Sequence, residues 1–270
     1  MIETIAYLGL LDDEEISLDI AALELSALDH EGLDIAPYVA KLSDIEAELV
    51  EAAADGDARS SAGQAEILAA VLGGRHGLSG DRDSYDAPLN ADMIRVLDRR
   101  KGLPVSLSIL YVAMARRLGW PADALNTPGH VLVRIGADDD PVVIDPFHGG
   151  IKVTPTVLIN LIRQSLGPTA GLDRRHVAPM SNRQVLVRLL LNQATRAEQG
   201  GDNDRALTLY RRMVEVAPSL PQGWWDLARL QLAAGRVDDA RTSLSAMLEV
   251  TRDGDSRARI AAALEALAGR

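Results

Sequence analysis

Between Pro104 and Gly119 the chain is apolar on almost every side, with Ile109, Leu110, Val112, Ala113, Met114 and Leu118 leaving little polar surface. A helix that is hydrophobic all round must be enclosed by other elements, so the fold has to be built about this segment. Pro104 suits the first turn, where a missing amide hydrogen costs nothing. Arg116 and Arg117 suit the C-terminal end, where the helix dipole is negative, and Gly119 supplies the stop.

Two strands are expected next, His130 to Ile135 and about Val142 to Asp145, joined by the turn-rich Gly136-Ala-Asp-Asp-Asp. A tight turn over residues 136–139 would set His130 directly across from Asp145, with Cβ atoms roughly 5 Å apart on one face. A slip of one residue would destroy that alignment. Apolar residues occupy both faces of the hairpin, which therefore belongs to a sheet covered on both sides.

Upstream, apolar stripes at helical spacing predict helices over residues 14–29, over 35–49 with Asp34 as cap, and over 62–72 ending at Gly73-Gly74. Residues 78–90 are rich in turn formers and read as an ordered surface loop, after which Asn90 caps a helix through Leu97. Thr154-Pro155 opens another helix. A Gly/Pro-broken stretch from Gly167 to Pro179 leads to a domain boundary near residue 181.

Beyond it the chain repeats. Gly201-Asp-x2-Arg-Ala206 recurs as Gly235-Arg-x2-Asp-Ala240, and Ala194, Met213 and Val216 recur as Ala228, Met247 and Val250, always 34 residues on. Small residues at that period, where helices touch, resemble the tetratricopeptide repeat. Ala194, Gly201, Ala206, Tyr210 and Pro218 occupy signature positions in the first repeat, and Trp224, Leu227, Ala228, Gly235 and Ala240 in the second; Arg252 stands where proline is usual. Residues 256–267 close the array. At least one of Trp224 and Trp225 belongs to the repeat core, and the other can meet a peptide.

The candidate chemistry is a triad. Ser106 lies in the first turn of the apolar helix, His130 can act as base, and Asp145 can orient the imidazole. Pro104 and Ser108 compete with Ser106 for the nucleophile position. With no cysteine among 270 residues, a hydroxyl has to serve, and a hydroxyl depends entirely on its base. The absence of cysteine also removes disulfides and thiolate metal sites. None of the five histidines forms a His-x3-His or His-Glu-x2-His pair, and His148 reads as a turn residue, so no metal is expected. Neither glycine-rich nucleotide loop is present, so no cofactor is expected either. A net charge of −11 disfavours nucleic acid. No window has the apolar length to span a bilayer and no secretory leader is seen, which gives an expectation of a cytoplasmic protein away from the membrane.

Arg100-x-Gly-x-Pro-Val-Ser-Leu, Ala115-Arg-Arg-Leu-Gly, Pro128-Gly-His-x-Leu-Val-Arg and Ile144-Asp-Pro-Phe-x-Gly-Gly, followed by the repeats, resemble the SirB-type family of bacterial transglutaminase-like proteins. The resemblance implies an α+β, helix-rich chain. It comprises an N-terminal helical segment of the core (1–98), a papain-like or transglutaminase-like core of a central helix on a small antiparallel sheet (99–181), and an all-α repeat block of about two repeats plus a capping helix (182–270). It also implies that His130 and Asp145 match the family's His and Asp, while the cysteine of active relatives is replaced here by Pro104 to Ser108. Two readings of function follow. One is a non-catalytic interaction or regulatory protein that takes a protein or peptide partner through its repeats. The other is a serine-dependent amidase, peptidase or acyl transferase. Oligomeric state stays open.

Overall fold

The computed structural model describes residues 5–137 and 139–268; residues 1–4, Asp138 in the middle of the expected turn, and residues 269–270 lie outside it. The chain divides into two compact units, residues 13–185 and a second formed from residues up to 12 together with those from 186 onward.

The first unit opens with α1 (Leu18–Ala27) and α2 (Ala36–Asp55). In α2, Leu42, Ile45 and Leu49 are buried, a single stripe at helical spacing that faces the core. Ser60 accepts the Gly63 amide to cap α3 (Ser61–Leu68), which continues into a π-helical segment, Ala69–Arg75. The turn-rich loop contains a two-residue strand, β1 (Ser79–Gly80), paired in parallel with β2 (Lys101–Gly102). Between them runs α4 (Met93–Arg99), capped by Asp92, whose side chain accepts the Ile94 and Arg95 amides. The cap is therefore not Asn90, as expected. Asn90 is fully buried and turns its side-chain amide to the Ser84 and Tyr85 carbonyls instead.

α5 (Pro104–Arg117) is the central helix, and every residue from Pro104 to Ala115 is buried. Gly119 follows with φ +74°. α5 packs on α1, β3 (Ala122–Leu125) and β4 (Leu132–Ile135). With β5 (Val142–Asp145) and β6 (Ile151–Lys152), β3 and β4 form one antiparallel sheet in the order β3-β4-β5-β6. Leu158 and Ile162 of α6 (Pro155–Leu166) pack on Leu125 and Leu132. β4 is apolar and buried on both faces except for Arg134, so the hairpin's first strand is enclosed as the pattern predicts, whereas the edge strand β6 is exposed.

The hairpin register differs from the expected one. Val133 pairs with Ile144 and Ile135 with Val142, two residues further on than a turn over 136–139 would give, because the loop consumes residues 136–141. A shift of two preserves the face on which each side chain lies. His130 also falls before β4 rather than inside it.

α7 (Asn182–Gln199) begins at the end of the first unit and leads into the second. There α8 (Asn203–Val216), α9 (Pro221–Ala233), α10 (Val237–Val250) and α11 (Gly254–Ala268) pack each on the next. Ala206, Ala228 and Ala240 are buried, the small residues that let helices approach. Gly201 (φ +80°) and Gly235 (φ +72°) take the left-handed conformation that ends the first helix of each hairpin. The short 3-10 helix Ile5–Gly9 packs against α8, and a Cβ at Gly9 would lie 2.4 Å from the Glu215 carbonyl oxygen. Among the described residues no helix is long and apolar enough to cross a membrane.

Candidate functional site

Two tight turns deliver two histidines to one carboxylate. Gly129 adopts φ +68° just before His130, whose amide donates to the Thr127 carbonyl at 3.0 Å. On the other side β5 ends at Asp145. Its side chain accepts the Phe147 amide at 3.0 Å and caps the 3-10 turn Pro146–His148, which curls back so that His148 meets the residue three places before it. Gly149 (φ +75°) and Gly150 (φ +82°) carry the chain out of that turn.

The result is a His-Asp-His cluster about a buried carboxylate. His130 Nε2 lies 3.0 Å from Asp145 Oδ1, and His148 Nδ1 lies 2.7 Å from Oδ2. The side chains of Asp145, His130 and His148 are 3%, 11% and 34% exposed, so the carboxylate sits deepest and His148 faces outward. Burial alone would push the Asp145 carboxyl up, but the hydrogen bonds and charge interactions of His130 and His148 together outweigh it and hold the carboxyl below its usual range. An ionised carboxylate only accepts, which assigns the donating hydrogens to His130 Nε2 and His148 Nδ1.

Aromatic rings wall the cluster. Phe147 stands edge-on to His130 with ring centroids 5.9 Å apart and to Tyr85 at 5.8 Å. Gly80 is required beneath it, because a Cβ there would lie 2.3 Å from the Phe147 ring. Behind the cluster, Tyr111 of α5 is fully buried, and its hydroxyl has no hydrogen-bond partner among the described residues. Burial first, and then the Asp145 charge, push its phenol well above the usual value. Tyr111→Phe removes a desolvated polar atom with little change of shape. It is expected to raise stability by about 1 kcal/mol, read as a higher midpoint of urea unfolding; a fall would mean that the hydroxyl has a partner after all.

The serines lie elsewhere. Ser106 and Ser108 are both fully buried. Ser106 Oγ donates to the Asn90 carbonyl at 2.7 Å and Ser108 Oγ to the Val131 carbonyl at 3.3 Å. Each hydroxyl has a single hydrogen, and neither gives it to the imidazole. The Asn90 carbonyl also takes the Leu103 amide, and Arg99 ties the loop in place, donating to Asn90 Oδ1 at 2.8 Å and Asp81 Oδ2 at 2.7 Å. Of the expected Ser106, His130 and Asp145, the structure thus brings the last two together and sets Ser106 on the loop carbonyl. His148, expected only as a turn residue, completes the cluster. The sequence signal for it was the Asp-Pro-x-His spacing, since a proline-initiated turn returns its third residue to the capping side chain.

The profile of the transglutaminase-like superfamily matches residues 36–191, and a tetratricopeptide-repeat profile matches residues 197–267. A UPF0162 protein of Xylella fastidiosa (strain 9a5c) is 34% identical over 177 residues, 64% of this chain and 63% of that one. Its counterpart in strain Temecula1 is 37% identical over 175 residues, 62% of each chain. F-box only protein 21 of Homo sapiens is 34% identical over 164 residues, 57% of this chain and 25% of that one. The matched stretch thus spans under two thirds of the length of these relatives. The superfamily match covers more than half of the chain and coincides with the helix, sheet and His-Asp pair just described, and the repeats follow it. The chain belongs to the transglutaminase-like superfamily, in the SirB-type arrangement with C-terminal tetratricopeptide repeats.

Proposed function

We propose that this chain is a protein-interaction or regulatory module, with a catalytically degenerate transglutaminase-like core and a repeat surface that receives a protein or peptide. The observation that carries the reading is the start of α5. No thiol stands there, and the hydroxyls of Ser106 and Ser108 are spent on backbone carbonyls. A nucleophile has to present its oxygen to the base, and neither of these hydroxyls does so. On the repeat side, Trp225, Arg229 and Leu232 of α9 fall on one face at spacings of four and three, with Trp225 46% and Leu232 38% exposed. Exposed aromatic anchors of this kind dominate binding surfaces.

The test pairs a fluorophosphonate probe with affinity capture. The full chain is expected to stay unlabelled and to retain a protein that Trp225→Ala releases while Ser106→Ala does not. Labelling abolished by Ser106→Ala and by His130→Ala would replace this reading with a serine-dependent amidase, peptidase or acyl transferase.

A further inference from the structure

We propose that His130, Asp145 and His148 form a binding site for a divalent transition cation of the zinc class. One ligating atom from each of the three residues lies within 4.8 Å of the others. Two imidazole nitrogens and one carboxylate oxygen are a donor set that suits zinc and its neighbours rather than calcium or magnesium, which prefer oxygen alone. Three protein ligands leave at least one coordination position for water or a bound anion.

Several features of the cluster suit a cation better than a bare hydrogen-bonded triad. The carboxylate is held by a neighbour outside the coordination sphere, the Phe147 amide on Oδ1 at 3.0 Å, and such support fixes the orientation of a ligating oxygen. The three residues come from two turns that flank neighbouring paired strands, one before β4 and one after β5. His130 Nε2 lies 3.0 Å from Oδ1 and His148 Nδ1 2.7 Å from Oδ2, so whichever carboxylate oxygen ligates already has one imidazole nitrogen near the ~3.3 Å that separates ligand atoms in a tetrahedral zinc site with bonds of about 2.0–2.1 Å. His148 is the most exposed of the three, the member with most room to adjust. The cation then takes the lone pairs of His130 Nε2 and His148 Nδ1, and each imidazole carries its hydrogen on the opposite nitrogen. Tyr111 adds a second observation. Its fully buried hydroxyl, without a partner among the described residues and within electrostatic reach of Asp145, is a group that a cation-bound water would satisfy.

The inference does not depend on the repeat surface. It is tested on the full chain, stripped with a chelator and titrated with zinc chloride by calorimetry, with the visible spectrum of added cobalt as a second readout. One equivalent is expected to bind in the micromolar range or tighter, and His148→Ala to weaken binding by about a hundredfold or more. His148→Cys, which supplies another zinc ligand, restores binding, and His176→Ala leaves it unchanged. His148 is the exposed member, so its variants retain the fold, which circular dichroism verifies. Asp145→Asn is expected to abolish binding as well, but the His148 series decides the matter alone. No binding above the His148→Ala background, or a stoichiometric site that persists in His148→Ala, overturns the proposal.

Discussion

Arg117→Ala is expected to destabilise the protein by on the order of 3 kcal/mol. Arg117 leaves the end of α5 and donates to Asp19 Oδ2 at 2.6 Å and to Glu46 Oε2 at 2.8 Å. The Asp19 side chain is only 2% exposed, and besides Arg117 it has the Ile20 amide. Removing the guanidinium therefore strands a charge inside the protein, and an uncompensated buried charge costs far more than the pair contributes. Glu46, 34% exposed, stays partly in water, so Glu46→Ala is expected to cost under about 1 kcal/mol. Urea unfolding of the two variants separates the causes. Replacing Asp19 by leucine in the Arg117→Leu background should recover most of the loss, since no buried charge then remains. Equal costs for Arg117→Ala and Glu46→Ala would defeat this account.

The second large effect lies at the cluster. Asp145→Asn is expected to cost about 3 kcal/mol at neutral pH, because an amide can accept from one side only and one imidazole loses its acceptor. The sign of the pH dependence follows from the depressed folded-state carboxyl. A group whose folded value lies below its unfolded value stabilises the fold above the unfolded value, about 3.9 for aspartate. That contribution is lost as pH falls through the lower folded value. The gap between wild type and Asp145→Asn should hold steady from neutral pH to about pH 4 and narrow below it. Unfolding midpoints across that range read the difference directly, and a gap that widens in acid would contradict the ionised carboxylate.

Much of this was legible in the sequence wherever one physical requirement singled out a residue. Pro104 and Gly119 bracket a segment with no face for water, so the central helix could be bounded from sequence alone. The meeting of His130 with Asp145 was legible only in part. A loop two residues longer than expected leaves the faces of the strand residues unchanged, but His130 lies before β4 and is delivered by the turn at Gly129. The cap of α4 was not, because Asn90 and Asp92 both qualify by type and only tertiary packing buries the first. Nor was β3, whose Ala-Asp-Ala-Leu lacks the branched and aromatic residues that mark strands. β6, at two residues, carries no period at all. Ser106 has the right type in the right turn. What it does is decided by the Asn90 carbonyl from a loop 16 residues earlier, a partner no local pattern announces.

The packing of Ile5–Gly9 on α8 makes the helical unit discontinuous, with the whole of residues 13–185 intervening between its two parts. Synthesis runs from the N-terminal to the C-terminal side, so the Ile5–Gly9 turn is made while the helix that will cover it is still untranslated. The segment that buries Ile5 and Leu8 must keep those side chains unsheltered, or lent to something else, until Asn203–Val216 has emerged. The transglutaminase-like unit, contiguous in the chain, is under no such delay.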